Sequence, residues 1–277
     1  MKKWSFPRGL QRLCWLSGGR EHGAAATPAT DPAVTSGDWY RPAVDVNAQV
    51  QLQGTPNISY DVELYVLDLF DTDSAVIDAL HADGRKMICY FSAGTFENWR
   101  DDAGRFTAAD KGRRLGNWPG ERWLDIRSQN VRAIMADRLD LAVQRGCDGV
   151  DPDNVDGYSN RTGLPLTYQD QIDYNTWLAA QAHQRGLAIS LKNDLGQIDD
   201  LVAHFDFAIN ESCHEWDECE LLMPFIEAGK PVVHINYLYA DDPIGRAELC
   251  LYTRGLGFNT LTLPQLLDGS FRYSCNP

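Results

Sequence analysis

The chain has 277 residues, 44% hydrophobic and 23% charged, enough to bury a full core and of ordinary size for one α/β barrel. A net charge of −14 and a pI of about 4.7 argue against a nucleic-acid partner, which needs a basic surface. No run approaches the roughly eighteen apolar residues of a membrane span.

The N-terminus, "MKKWSFPRGLQRLCWLSGG", starts positive but has no clean apolar stretch, so it makes a poor signal peptide. "EHGAAATPATDPAVTSG" is rich in Ala, Thr and Pro and reads as a linker. Residues 1–36 are therefore expected to be leader and tether, and residues 37–277 a single catalytic domain.

From Trp39 onward short apolar runs alternate with helical patterns. The strand candidates are "VQLQG" (50–54), "LYVLDLF" (64–70), "KMICYFS" (86–92), "GVDPDN" (149–154), "AISLKN" (188–193), "FAINE" (207–211), "VVHINY" (232–237) and "TLTLP" (260–264). Most are β-branched or aromatic-rich, as buried strands are. Helix patterns lie between them at 73–85, at "QNVRAIMADRLDLAVQRGCD", at "YQDQIDYNTWLAAQAHQRGL" and at "CELLMPFIEAGKP". In the second, Val131, Ile134, Met135, Leu139 and Val143 fall near one face. These patterns stop at Gly84, Gly146, Gly186 and Gly229, and a strand follows within a few residues. Parallel strands need such crossovers, and eight strand candidates favour a closed (β/α)8 TIM barrel. No GxGxxG follows the first strand, which counts against a dinucleotide fold. The long aromatic insertion 93–129 follows the third strand, on the face where barrels bind substrate.

Seven cysteines are present. Cys213 and Cys219 flank the short loop "CHEWDEC", and Cys250 with Cys275 can tie down the C-terminus, so two disulfides and an oxidising, extracellular or cell-surface location are expected. Cys89 and Cys147, in apolar strand-like contexts, are expected to be buried thiols.

Polar residues at the C-terminal ends of barrel strands face the active site. Those ends offer Asp68 and Asp71; Tyr90 and Ser92; Asp151, Asp153, Asn154 and Asp156; Lys192, Asn193 and Asp194; Asn210 and Glu211; and His234, Asn236 and Tyr237. Asp71 and Asp73 also suit a helix cap, Asn154 and Asp156 a turn, and Lys192 a structural ion pair. "FDFAINESC", an apolar strand running straight into a carboxylate, is harder to read as a turn. Two carboxylates on separate strand ends are what glycoside hydrolysis needs. Trp99, Trp123, Tyr158, Trp216 and Tyr237 lie on the same loops, and flat rings stack on sugar faces or serve as packing. Carboxylates also suit Mg²⁺ or Ca²⁺, but there is no EF-hand spacing and the six histidines form no zinc motif, so no metal and no cofactor is expected. No GxSxG elbow is present.

Taken together, "VQLQG", "LDLFDT", "ICYFSAGTFENWR", "PGERWLDIR", "GVDPDNVDGY", "LKND", "FAINESC" and "TLTLP" resemble glycoside hydrolase family 114, the TIM-barrel endo-α-1,4-polygalactosaminidases. The resemblance runs from about Trp39 to the C-terminus. It implies hydrolysis of α-1,4-linked galactosamine polymers such as galactosaminogalactan or Pel-type exopolysaccharide. It implies Asp153 as nucleophile and Glu211 as acid/base of a retaining mechanism. Asp68, Asp71, Tyr90, Asp151, Asn154, Lys192, Asn193, Trp216 and Tyr237 are expected to bind substrate. Asp151 departs from the Glu common in similar sequences, and "VDVNAQVQLQG" lacks an expected tryptophan. A cationic polysaccharide fits the acidic chain, and a monomer is expected. The alternatives are a barrel glycosidase for another α-galactosidic polymer and a carbohydrate-binding barrel without turnover.

Overall fold

The computed structural model describes residues 37–276, so the segment expected as leader and tether, with Cys14, lies outside the described residues. Eight parallel strands build the barrel: β1 (Ala48–Gln51), β2 (Leu64–Asp68), β3 (Lys86–Ser92), β7 (Gly149–Asp153), β8 (Ala188–Lys192), β9 (Phe207–Glu211), β10 (Val232–Asn236) and β11 (Asn259–Thr262). A short antiparallel β12 (Tyr273–Ser274) pairs with β11. The remaining seam is closed by the C-terminal segment. Leu52 and Gln53 N–H donate to the Leu267 carbonyl, and Arg272 donates to the Gln49 side chain and the Ala48 carbonyl.

Helices cross over between most of these strands: α1 (Ser74–Ala82), α2 (Gln129–Arg145), α3 (Tyr168–Gln184), α4 (Ile198–Leu201), α5 (Cys213–Trp216), α6 (Met223–Glu227) and α7 (Pro243–Gly255). Local chemistry explains their ends. Asp73 and Ser128 accept hydrogen bonds from the first turns of α1 and α2, and Thr167 with Asp170 forms a capping box on α3. Gly146 closes α2 in the left-handed region at φ 84°. No helix joins β1 to β2, a departure from the regular strand–helix rhythm. α7 is not among the helix patterns expected from the sequence; it buries Leu249, Cys250 and Thr253 while Ile244 and Leu251 face solvent at 73% and 77% exposure. Val143, expected on the buried stripe of α2, is likewise exposed.

Residues 93–129, expected only as a long loop, contain a second sheet of β4 (Thr95–Glu97), β5 (Lys111–Arg114) and β6 (Glu121–Leu124) in the order β4-β6-β5. A turn through Trp118, Pro119 and Gly120 joins β5 to β6, with Gly120 at φ 100°.

Alternation along the strands sorts residues into two layers. Leu64, Val66, Ile88, Ala188, Phe207, Ile209, Val233, Ile235 and Leu261 fill the lumen. Tyr65, Leu67, Cys89, Val150, Ile189, Leu191 and Ala208 pack outward against the helices. Continuing the lumen parity to the strand tops gives Asp68, Tyr90, Asp153, Lys192, Glu211 and Tyr237. Asn210, His234 and Asn236 have the opposite parity. They are buried on the outer layer and do not line the cleft, contrary to their expected place.

Three disulfides are formed among the described residues. Cys213–Cys219 and Cys250–Cys275 are as expected, whereas Cys89 and Cys147 are bonded to each other rather than free thiols. That bond ties β3 to the chain entering β7, neighbours in the sheet but 58 positions apart in sequence. Linear spacing cannot show such a pair.

Candidate active site

The strand tops open into a cleft of about 560 Å³. Seven carboxyl side chains line it (Asp68, Asp71, Glu97, Glu121, Asp153, Asp156 and Glu211) against two cations, Arg100 and Lys192. Trp99, Trp118, Trp123, Tyr90 and Tyr237 supply its aromatic surface.

Lys192 is at the centre. Its Nζ lies 3.5 Å from Asp153 Oδ1, 3.3 Å from Glu211 Oε1 and 3.8 Å from Asp151 Oδ2, with the side chain 2% exposed. Burial alone would lower its pKa, but the carboxylates of Asp153, Glu211 and Asp151 outweigh that and raise it, so the ammonium stays charged.

Asp153, at the end of β7, accepts the Tyr90 hydroxyl at 2.9 Å on Oδ2 and the Asn154 N–H at 2.8 Å on Oδ1. Asn154 takes a left-handed conformation at φ 61° and donates its amide to Ser92 Oγ. Ala93 and Gly94 N–H both donate to the Asp153 carbonyl. Gly94 is required here, because a Cβ on it would lie 1.7 Å from the Asn154 carbonyl oxygen.

Glu211 ends β9. Its N–H donates to Asn193 Oδ1 at 2.9 Å, and the Tyr237 hydroxyl hydrogen-bonds its carboxylate. Asn193 is itself left-handed at φ 53°, which aims its side chain back at β9. Ser212, at φ 64°, turns the chain sharply into α5. Strained backbone thus follows the catalytic candidates on both strands and the strand between them.

The other expected substrate-binding residues divide. Asn154, Asn193, Lys192, Tyr90 and Tyr237 line the cleft. Asp68 lines it too, but both its oxygens are held by Arg100, at 2.6 and 3.0 Å, and Asp71 lies 3.3 Å from the same guanidinium. Asp151 is sealed beneath Lys192 at 1% exposure, where it accepts the Ser190 hydroxyl. Burial pushes its carboxyl up to about 6 against the pull of Lys192. Trp216 sits 61% exposed on the disulfide-clamped loop and does not line the cleft. Arg100, Glu97, Glu121 and Trp118, all from the insertion, are cleft residues that the strand-end rule misses. The Trp-Pro-Gly turn signal inside "RRLGNWPGERW" marks the hairpin that carries two of them.

A (β/α)8 barrel with two carboxylates facing one ammonium, in an aromatic-walled cleft at the strand C-termini, defines a barrel glycosidase. The chain belongs to glycoside-hydrolase family GH114, whose model matches residues 28–276. It is 40% identical to Aspergillus fumigatus Ega3, solved in complex with galactosamine, over 89% of this chain and 99% of that one, with a TM-score of 0.82. The glycoside hydrolase domain of Pseudomonas aeruginosa PelA shares the fold at 17% identity and TM-score 0.65, covering 81% of this chain and 96% of that one. A Deinococcus radiodurans protein described as uncharacterized is 25% identical over 240 residues, covering 76% of this chain and 75% of its own.

Proposed function

We propose that the protein is an endo-acting hydrolase of α-1,4-linked galactosamine polymers, with Asp153 as nucleophile and Glu211 as acid/base. The observation that carries this is the pair of carboxylates sharing Lys192. Their common ammonium limits the nearest oxygens to roughly 7 Å apart, a bound that accommodates the ~5–5.5 Å of retaining enzymes and so supports that reading. Asp153, oriented by Tyr90 and the Asn154 N–H, attacks the anomeric carbon while Glu211 protonates the leaving oxygen. Ester formation removes the charge of Asp153. Glu211, having given its proton to the leaving group, then takes a proton from the water that attacks the ester in the second step.

Substrate choice rests on charge and on likeness to a protein solved with galactosamine. Seven carboxyls against two cations make the cleft attractive to a polymer bearing ammonium groups. Asn154, Asn193 and Tyr237 bind sugar hydroxyls, Asp68 and Asp71 act through Arg100, and Asp151 acts through Lys192. Three disulfides support an oxidising location, outside the cell or at its surface. No helix among the described residues is long and apolar enough to cross a membrane.

The test is incubation with partly deacetylated α-1,4-linked N-acetylgalactosamine polymer. The parent is expected to release oligosaccharides, and Glu211→Gln and Asp153→Asn to lose at least ~10³-fold in kcat while still binding polymer. No release by the parent would overturn the substrate, and unchanged rates in either variant would overturn its role.

A further inference from the structure

The small sheet of the insertion breaks a rule of strand pairing. Glu97 on β4 and Glu121 on β6 are direct cross-strand partners, and like charges placed opposite each other destabilise a sheet. Both side chains are buried and both line the cleft.

Only one of the two is compensated. Glu97 meets Arg100 at 3.0 Å and Arg138 at 3.6 Å. Those guanidiniums are then spent, Arg100 on Asp68 and Asp71, and Arg138 on Asp102 and the Ser92 carbonyl. Glu121 has no ion pair among the described residues; the one hydrogen bond of its carboxyl accepts the Thr95 hydroxyl at 2.8 Å on Oε2. A carboxyl that is 8% exposed, faces a cleft and lacks a cation is incomplete. Violations of this kind are expected where function demands them.

We propose that Glu121 is a specificity-determining residue whose missing cation is the ammonium group of a deacetylated hexosamine unit of the substrate. The inference rests on the function proposed above and makes that function selective. An N-acetyl group offers an amide and no charge, so a unit carrying one leaves Glu121 uncompensated.

Proton linkage agrees. Burial, then Glu97 and Asp153, pushes the Glu121 carboxyl up to about 7 against the Thr95 hydrogen bond and the more distant Arg100. The buried Tyr90 hydroxyl also feels the charge of Glu121. Near neutral pH the free enzyme therefore holds a proton on Glu121 part of the time, and an arriving ammonium expels it.

Two measurements on the parent and Glu121→Gln test this. The first is kcat/KM on a deacetylated and on an N-acetyl-rich α-1,4-galactosaminan. The ratio between the two polymers is expected to fall at least tenfold in the variant; an unchanged ratio overturns the proposal. The second is calorimetry of galactosamine binding near pH 7 in two buffers of different ionisation heat. The parent is expected to release protons on binding and the variant to release fewer. Equal release overturns the proposal and points to another cleft carboxyl, such as Asp156. If the parent cleaves neither polymer, the proposed function fails. Calorimetry still decides Glu121, because unaltered galactosamine binding in the variant removes its role. A melting temperature no lower than the parent's verifies that the variant is folded, since it removes one of two opposed charges.

Discussion

Asp194 follows Asn193 at the top of β8 in a left-handed conformation, φ 48°, and is 4% exposed. Asn175 donates to its Oδ2 at 2.9 Å, while Oδ1 has no partner. Burial, followed by repulsion from Asp156, pushes its carboxyl up to about 9, and Asp156 is itself pushed to about 6 by burial and Asp153. The native state thus keeps protons that an unfolded chain gives up near pH 4. Stability from Asp194 is fully present below that pH and is lost as pH rises towards 9. Asn is neutral throughout and tolerates a left-handed backbone. In thermal melts from pH 5 to 9, Asp194→Asn should gain on the parent as pH rises. At the upper end it should unfold at least ~4 °C higher, equivalent to about 1–2 kcal/mol. Parallel curves would mean that the native Asp194 holds no extra proton.

The insertion between β3 and α2 is the element that turns a generic barrel mouth into a walled cleft. Its sheet supplies Trp123 and Glu121, its turns supply Trp99, Arg100 and Trp118, and its first residues brace the end of β7. Gly94 is where the two meet. Gly94→Ala would push a methyl into the Asn154 carbonyl and displace the peptide that carries Asp153. A cost of about 1–3 kcal/mol in urea denaturation is expected, from overpacking, and at least a tenfold loss of kcat because Asp153, the proposed nucleophile, moves. Full activity in this variant would show that the β7 end does not depend on that close approach. Strand positions were legible in the sequence to within two or three residues, closest from "KMICYFS" to "FAINE", because buried strands are short apolar runs bounded by turn residues. The three short strands of the insertion were not. "TFE", "KGRR" and "ERWL" are too short and too polar for a period-two signal, and they become strands by packing on the barrel.

For the molecule as a whole, −14 of net charge surrounds a cleft where carboxyls outnumber cations. A cationic polymer is drawn to such a mouth over distances comparable to the Debye length, about 8 Å at physiological ionic strength and 3 Å at 1 M. Raising NaCl from about 0.05 to 0.5 M should therefore raise KM for a deacetylated polymer severalfold and leave kcat nearly unchanged. An N-acetylated polymer should show a much smaller effect. Salt-independent KM on the charged polymer would remove the steering argument.

The sequence by itself determined the barrel, the family resemblance and the chain positions of the paired carboxylates. Each of these is written in local patterns: strand runs, helix-ending glycines, and acidic residues directly after apolar strands. The tertiary structure decided what those residues meet. It withdrew Asp151 beneath Lys192, tied Asp68 to Arg100, left Trp216 outside the cleft and joined Cys89 to Cys147. It also set Glu97 opposite Glu121, 24 positions away in the chain, with cations enough for one of them. Charge compensation and disulfide pairing depend on distances across the barrel, and linear spacing carries no record of those distances.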